Sequence, residues 1–359
     1  MNPGSNGGRR ASVDALRGIT VAAMLLVNNP GDWGHVYAPL QHAQWNGLTP
    51  ADLIFPLFLF IVGVSAALAL MPRLERGDAP DALAKGVLSR SLRIIGLGLL
   101  LHLCVWWAFD LAHFRPMGVL QRIGLCFAIA GLLVIRLRER WHWCALLALL
   151  AGYAGLLAAG GSYAPFDNLV SRIDHAVLGV QVYQLDPVSG RGHDPEGLAS
   201  TLGALATTLL GVRAGVLLRR GNANALWLAG AVTLALGHCW SFILPLNKNL
   251  WTPSYVLWTG GVSFWLLALA HVLIDRWGLP AWGRAFGLNA IAAYAGSALL
   301  LCALVAFDWL APVYQHGFAD WITPRWGPYV ASVTYALTFV AFWWVVVRWL
   351  YARKIYIKV

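Results

Sequence analysis

Residues 52–71 read DLIFPLFLFIVGVSAALALM, a single aspartate followed by nineteen uncharged residues. At the α-helical rise of 1.5 Å per residue such a run covers about 30 Å, the thickness of a bilayer's hydrocarbon core. A helix apolar on every side is a buried or membrane helix, not a surface helix of a soluble protein. The stretch decides the fold class because it recurs. Similar runs fall at roughly 12–30, 84–104, 118–135, 142–159, 197–218, 224–244, 253–274, 284–306 and 328–350. The expectation is an all-α, polytopic integral membrane protein, with about ten transmembrane helices in one bundle and one domain over 1–359.

Composition agrees. The chain is 59% hydrophobic and 12% charged, with mean hydropathy +0.63. Soluble domains carry about a quarter charged residues, so a cytosolic enzyme, a disordered chain and a secreted disulfide scaffold are excluded. Nineteen tryptophans suit membrane interfaces. Five cysteines, an odd count with none in a CxxC pair, read as small apolar residues with no disulfide framework and no metal site. The first residues, MNPGSNGGRR, have no apolar segment before Arg9 and read as an uncleaved start.

The net charge of +10 is distributed by topology. Alternate inter-span segments hold 20 of the 26 Lys and Arg residues, from Arg9, Arg10 and Arg17 to Arg353, Lys354 and Lys358. The positive-inside rule then puts both termini in the cytoplasm, with an even number of spans. The charge is accounted for without nucleic acid. The opposite face has 10 of the 16 acidic residues and the longest loops, at 31–51, 160–196 and 307–327. Chemistry is expected there.

The densest polar stretch runs from Asn28 to Pro56 and contains HAQWNGLTPAD at 42–52. Polar groups at the hydrocarbon boundary are expensive unless paired or functional. Asn28 and Asn29, before Pro30, either end the first helix or serve a site. Thr49-Pro50-Ala51-Asp52 is a helix start, with Thr49 as N-cap and Asp52 at N3.

The stretch HAQWNGLTPADLIFPLFLFIVGVS (42–65) strongly resembles the transmembrane acetyltransferases related to heparan-α-glucosaminide N-acetyltransferase, including bacterial amino-sugar members. The resemblance continues in RRASVDALRG, GVLQRIG (118–124), DPEGLAST (194–201), NKNLWTPSYVL (247–257), GLNAIAAY (287–294) and the basic RKIYIKV tail. The animal members have a long lumenal N-terminal region that this sequence is expected to lack, which argues for a small acceptor. The resemblance implies acetyl transfer from cytoplasmic acetyl-CoA to the amine of glucosamine or a related amino sugar on the far side of the membrane. It further implies a location in the bacterial inner membrane, a periplasmic site, a homodimer and no metal. His42 matches the family's active-site histidine and Asn28 its catalytic asparagine.

An amine attacks a thioester only when neutral, so a base is required, and histidine is suited to that. His42 acts either as general base in direct transfer, the route favoured here, or as an acetylated nucleophile. Asn28 either donates to the thioester oxyanion or fixes the His42 tautomer; Asp52 orients His42 from the helix start. Arg122, near the outer end of span four, either snorkels, pairs with an acid or meets CoA phosphate. Asn289, inside span nine, is the other candidate for donor binding, or finds an interhelical partner. Asp194 and Glu196 open span six, with Asp194 as its N-cap and Glu196 free to bind the sugar. Asn247, Lys248 and Asn249 form a turn after span seven and complete the candidate acceptor site. Arg90 and Arg284 are topology anchors that stand at the cytoplasmic mouth where a nucleotide would enter. The competing reading from composition alone is a secondary transporter of a sugar or anion. Against it, polar groups gather at one face and no internal repeat is evident.

Overall fold

The computed structural model describes residues 10–357; Arg9, Lys358 and the start of the chain lie outside the described residues. Fourteen α-helices appear among them: α1 Ala11–Asn28, α2 Ile54–Glu75, α3 Pro80–Ala108, α4 Val119–Arg136, α5 Glu139–Ala159, α6 Leu169–Leu178, α7 Thr201–Arg219, α8 Ala223–Ser241, α9 Pro253–Ala270, α10 Arg284–Leu288, α11 Ala290–Ala306, α12 Leu310–Tyr314, α13 Asp320–Trp326 and α14 Pro328–Ala352. The one sheet among them is a hairpin, β1 Gln184–Leu185 with β2 Gly192–His193. The chain is an all-α, polytopic membrane protein.

Eight helices are long and apolar enough to cross a membrane, or nine if α11 and the α12–α13 segment, bent by 104°, count as one span. This is consistent with the expected bundle of about ten. By length and composition α8 falls short, with Asn224 and His238 among its 19 residues, although it runs from the Arg219 end of the bundle to the turn that carries Lys248. Two expectations are corrected. The run 284–306 is not one helix, because it breaks at Asn289 (φ −119°, ψ 32°) into α10 and α11. The supposed loop 307–327 is largely helical, with exposed Trp309, Trp321 and Trp326, the pattern of an interfacial segment.

In a bilayer, helices associate through close packing of small residues, not through exclusion of water. The central pair, α2 and α7, interlocks by reciprocal glycines. A Cβ on Gly63 would lie 1.9 Å from the Thr208 carbonyl oxygen, and one on Gly211 would lie 1.9 Å from that of Phe60. α1 and α10 meet in the same way through Gly18 and Gly287. α7 is the most enclosed span, with 89% of its apolar window buried. Against it, α2 carries the fully buried Leu59, Phe60, Ile61 and Val64. This rigid pair presents the start of α2 to the loops at one end of the bundle. The opposite end holds the ion pairs Arg136–Asp81, Arg219–Glu75 and Arg213–Glu139.

Candidate active site

The start of α2 builds the centre of the site. Thr49 is extended, and Pro50 leads a 3-10 turn, Pro50–Leu53, that runs into α2. The Thr49 N–H donates to Asp52 Oδ2 at 3.0 Å, closing a capping box. The same oxygen accepts from the Ala43 N–H at 3.1 Å, which folds the preceding loop back over the helix start. Asp52 is fully buried, and Tyr255 from α9 donates its hydroxyl to the Asp52 carbonyl at 2.6 Å. Local capping chemistry thus fixes a carboxylate whose remaining oxygen, Oδ1, faces His42 Nδ1 at 2.8 Å. An ionised carboxylate only accepts, so the proton belongs on Nδ1. Nε2 is left as the basic nitrogen of a side chain 44% exposed.

Lys248 completes this cluster. Its Nζ lies 3.0 Å from His42 Nδ1 and 3.5 Å from Asp52 Oδ1. An Nδ1–H that donates to Asp52 cannot also accept from an ammonium, so Asp52 is the group that holds the lysine. Burial pulls Lys248 below the ordinary lysine range, and the Asp52 and Glu196 carboxylates oppose it only in part. Asn247 staples the lysine turn to the histidine loop: its side chain donates to Asn46 Oδ1 at 3.0 Å and accepts from the Leu250 N–H at 2.8 Å. The Gly47 N–H adds a backbone bond to the Leu246 carbonyl, 2.8 Å. The sequence motifs at 42–47 and 247–251 are therefore two halves of one construction.

A second charged cluster comes from the α3–α4 connection and the loop before α7. Arg115 grips Asp194 through two nitrogens and reaches Glu196 Oε2 at 2.6 Å. Asp194 is fully buried and also accepts from the Tyr183 and Glu196 N–H groups. It does not cap span six as expected: α7 starts at Thr201 behind Ser200, and Asp194 instead closes a local turn. Burial raises the Glu196 carboxyl, but the Arg115 and Arg122 guanidiniums outweigh it and hold the group well below the usual range. Arg122 does not snorkel. It is fully buried, bonded to the Gly197 carbonyl and Ser200 Oγ, and lies 5.1 Å above the Trp251 ring.

The structure does not gather every expected residue. Asn28 ends α1 as an exposed side chain and takes no part in the hydrogen bonds around His42. Asn249 is half-buried beside Lys248. Asn289 lies near the opposite end of the bundle, fully buried, where its Oδ1 accepts from the Ile357 N–H at 3.0 Å. Among the other outer histidines, His193 is buried with Nδ1 2.8 Å from Ser171 Oγ, and burial pulls it down to about 4. It stays neutral and packs between Trp45 and Phe166.

From the end of the bundle that carries Asn289, a cavity of about 750 Å³ runs inward. Six arginines line it, Arg10, Arg17, Arg73, Arg76, Arg90 and Arg93, against one acidic residue, Asp14. Its wall along α2 extends from Arg76 to Phe58, which at helical rise is about 27 Å. Phe58 is six residues beyond Asp52, which sits in the 3-10 turn leading into α2, or about 10 Å along the axis. Arg90, an expected anchor, is part of this wall and stacks on Phe127 at 5.4 Å; Arg284 is not in it. Arg10 and Ile357 line the same cavity, so both ends of the described chain lie at one end of the bundle.

Sequence reasoning missed Arg115 and Tyr255. Arg115 carried one signal, a basic residue on the face that is poor in them. A polar passage for the donor was expected, but of the arginines that line the cavity only Arg90 had been named at its mouth, because topology anchors and ligand-binding residues look alike in sequence.

Comparison with known proteins gives the same direction. The family model described as heparan-alpha-glucosaminide N-acetyltransferase, catalytic, matches residues 9–173. Heparan-alpha-glucosaminide N-acetyltransferase of Homo sapiens is 29% identical over 351 residues, covering 80% of this chain and 52% of that protein. The protein of the same name from Mus musculus is 28% identical over 359 residues, covering 82% and 54%. The chain thus spans about half the length of these curated relatives. The matched segment contains the histidine–aspartate helix start, and over it the chain is similar to the catalytic region of heparan-alpha-glucosaminide N-acetyltransferases.

Proposed function

We propose that this chain is a transmembrane N-acetyltransferase that passes acetyl from cytoplasmic acetyl-CoA to the amine of glucosamine or a related amino sugar on the periplasmic side of a bacterial inner membrane. One observation carries the reading: an arginine-lined cavity enters from one end of the bundle and reaches, along α2, to within about two helical turns of the His42–Asp52 pair at the other. CoA is polyanionic and does not cross a bilayer. The arginine end suits its phosphates, the apolar middle (Phe58, Val62, Leu120, Ile123) suits a neutral arm, and the far end holds a base. This orientation puts both termini in the cytoplasm, in accord with the basic asymmetry.

In the proposed reaction the acceptor nitrogen attacks the thioester carbonyl. The C–N bond forms as the C–S bond breaks, the amine proton passes to His42 Nε2, and the thiolate leaves and is protonated to CoA thiol. Asp52 holds Nδ1–H, which fixes the tautomer and steadies the imidazolium. Glu196, held ionised by Arg115, supplies an acceptor for sugar hydroxyls; Asp194, enclosed by its own bonds, positions Arg115 instead of touching substrate.

The test uses purified protein, radiolabelled acetyl-CoA and a panel of amino sugars. N-acetylated product is expected, and His42→Ala should lower its rate by roughly 10²–10⁴-fold while CoA binding persists. No product from any amino sugar, or an unchanged rate in the alanine variant, would remove the assignment. Stoichiometric CoA release without acceptor, with label on His42, would replace direct transfer by an acetyl-histidine route.

A further inference from the structure

α14 stops at Ala352, and the chain reverses. Lys354 takes the left-handed conformation (φ 57°), and the Lys354 and Ile355 N–H groups return to the Tyr351 and Leu350 carbonyls. This is a helix-ending turn. The segment after it runs back onto the bundle, where the Ile357 N–H donates to Asn289 Oδ1 across 68 residues of sequence.

Two observations give this docking a purpose. Asn289 is fully buried at the α10–α11 break, and its Nδ2 has no partner. A buried amide is costly unless its bonds are made, and this one commits its oxygen to the tail. Ile357 is also a wall residue of the arginine-lined cavity, together with Gly287, Leu288 and Ala290 beside Asn289. Ile357 remains 46% exposed, so its aliphatic surface is open to a ligand. Terminal segments fray unless tied down; this one is tied at the residue that forms the wall.

We propose that residues 353–357 are a working part of the donor site, pinned by Asn289 so that Ile357 packs against acetyl-CoA at the mouth of the cavity. The inference rests on the acetyl-CoA reading of that cavity. It makes Asn289 a positioning residue that acts through the tail backbone.

The experiment measures CoA binding by calorimetry and the KM and kcat for acetyl-CoA and for glucosamine. The chains are the full-length protein, Ile357→Ser, Ile357→Leu, Asn289→Ala and a truncation after Ala352. Ile357→Ser, Asn289→Ala and the truncation are expected to weaken CoA binding and raise the KM for acetyl-CoA about tenfold, the scale of one aliphatic contact with its setting. The kcat and the KM for glucosamine should change less than about twofold, and Ile357→Leu should restore binding. A tail that only stabilises the fold would lower the melting temperature and depress kcat without this split. Unchanged CoA affinity in Ile357→Ser and the truncation overturns the inference and leaves the acetyl-CoA reading intact. Failure of the full-length protein to bind CoA overturns both.

Discussion

Replacing Asp52 by Asn keeps the side chain's shape and removes its charge, which isolates what the carboxylate does. In the native protein its two oxygens serve the Ala43 and Thr49 N–H groups, His42 Nδ1 and Lys248 Nζ, with the side chain fully buried. An amide can still accept through one oxygen, so the capping bonds persist in weakened form. What is lost is the counter-charge. Lys248, whose side chain is only 16% exposed, is left without the carboxylate it is paired with, and unpairing a buried charge costs about 3–5 kcal/mol. Partial exposure of Lys248 and the option of shedding its proton reduce this to about 2–3 kcal/mol. The amide NH₂ that replaces Oδ1 also faces His42 Nδ1 as a donor, so the imidazole is driven to the other tautomer and Nε2 ceases to be basic. Acetyl transfer should therefore fall by about 10²–10⁴-fold, together with a lower melting temperature in detergent. Thr49→Val, which removes the hydroxyl but keeps the carboxylate, should cost about 1 kcal/mol and leave turnover largely intact. Wild-type melting and turnover in Asp52→Asn would refute both halves of the argument. Lost stability with retained turnover would refute the tautomer half.

Other consequences are equally measurable. Gly211→Leu should prevent α2 and α7 from meeting, because its Cβ would lie 1.9 Å from a backbone oxygen; monodisperse, active protein from this variant would contradict the interlock. Gly155→Ala, with open space around it, is the control and should be neutral or stabilising by about 0.5–1 kcal/mol. Asp174 is buried on α6, with Oδ1 bonded to the Leu198 and Ala199 N–H groups, and burial raises its carboxyl to about 6. A carboxyl raised in the folded state favours folding while protonated, so its contribution declines as pH rises from about 4 to about 6. Asp174→Asn should therefore raise the melting temperature at pH 7.5 by more than at pH 5, and an equal effect at both pH values would exclude this cause. Reporter fusions at either terminus should register a cytoplasmic location, and periplasmic activity at either end would reverse the proposed orientation.

The sequence alone determined the solvent. A run such as 52–71 has no use for water on any side, and its recurrence made an all-helical membrane bundle the available fold. It also determined the helix start at Thr49–Asp52, because capping is local chemistry between residues three apart. His42 lay close enough to that start for the pairing to be expected. Tertiary structure decided the rest, because it depends on residues far apart in the chain. Lys248 reached Asp52 only once the α8–α9 turn had docked on the histidine loop. Arg115 captured Asp194 and Glu196 across about 80 residues and took from Asp194 the capping role that spacing suggested. Asn289 broke a helix that hydropathy read as continuous, since periodicity records apolar surface and not where a backbone must bend to receive another segment. Of the six arginines of the cavity, the sequence placed Arg90 alone at a nucleotide's entry and left the others as topology signals. Charge sign follows from composition, but which cations share one enclosed space follows from how the helices pack.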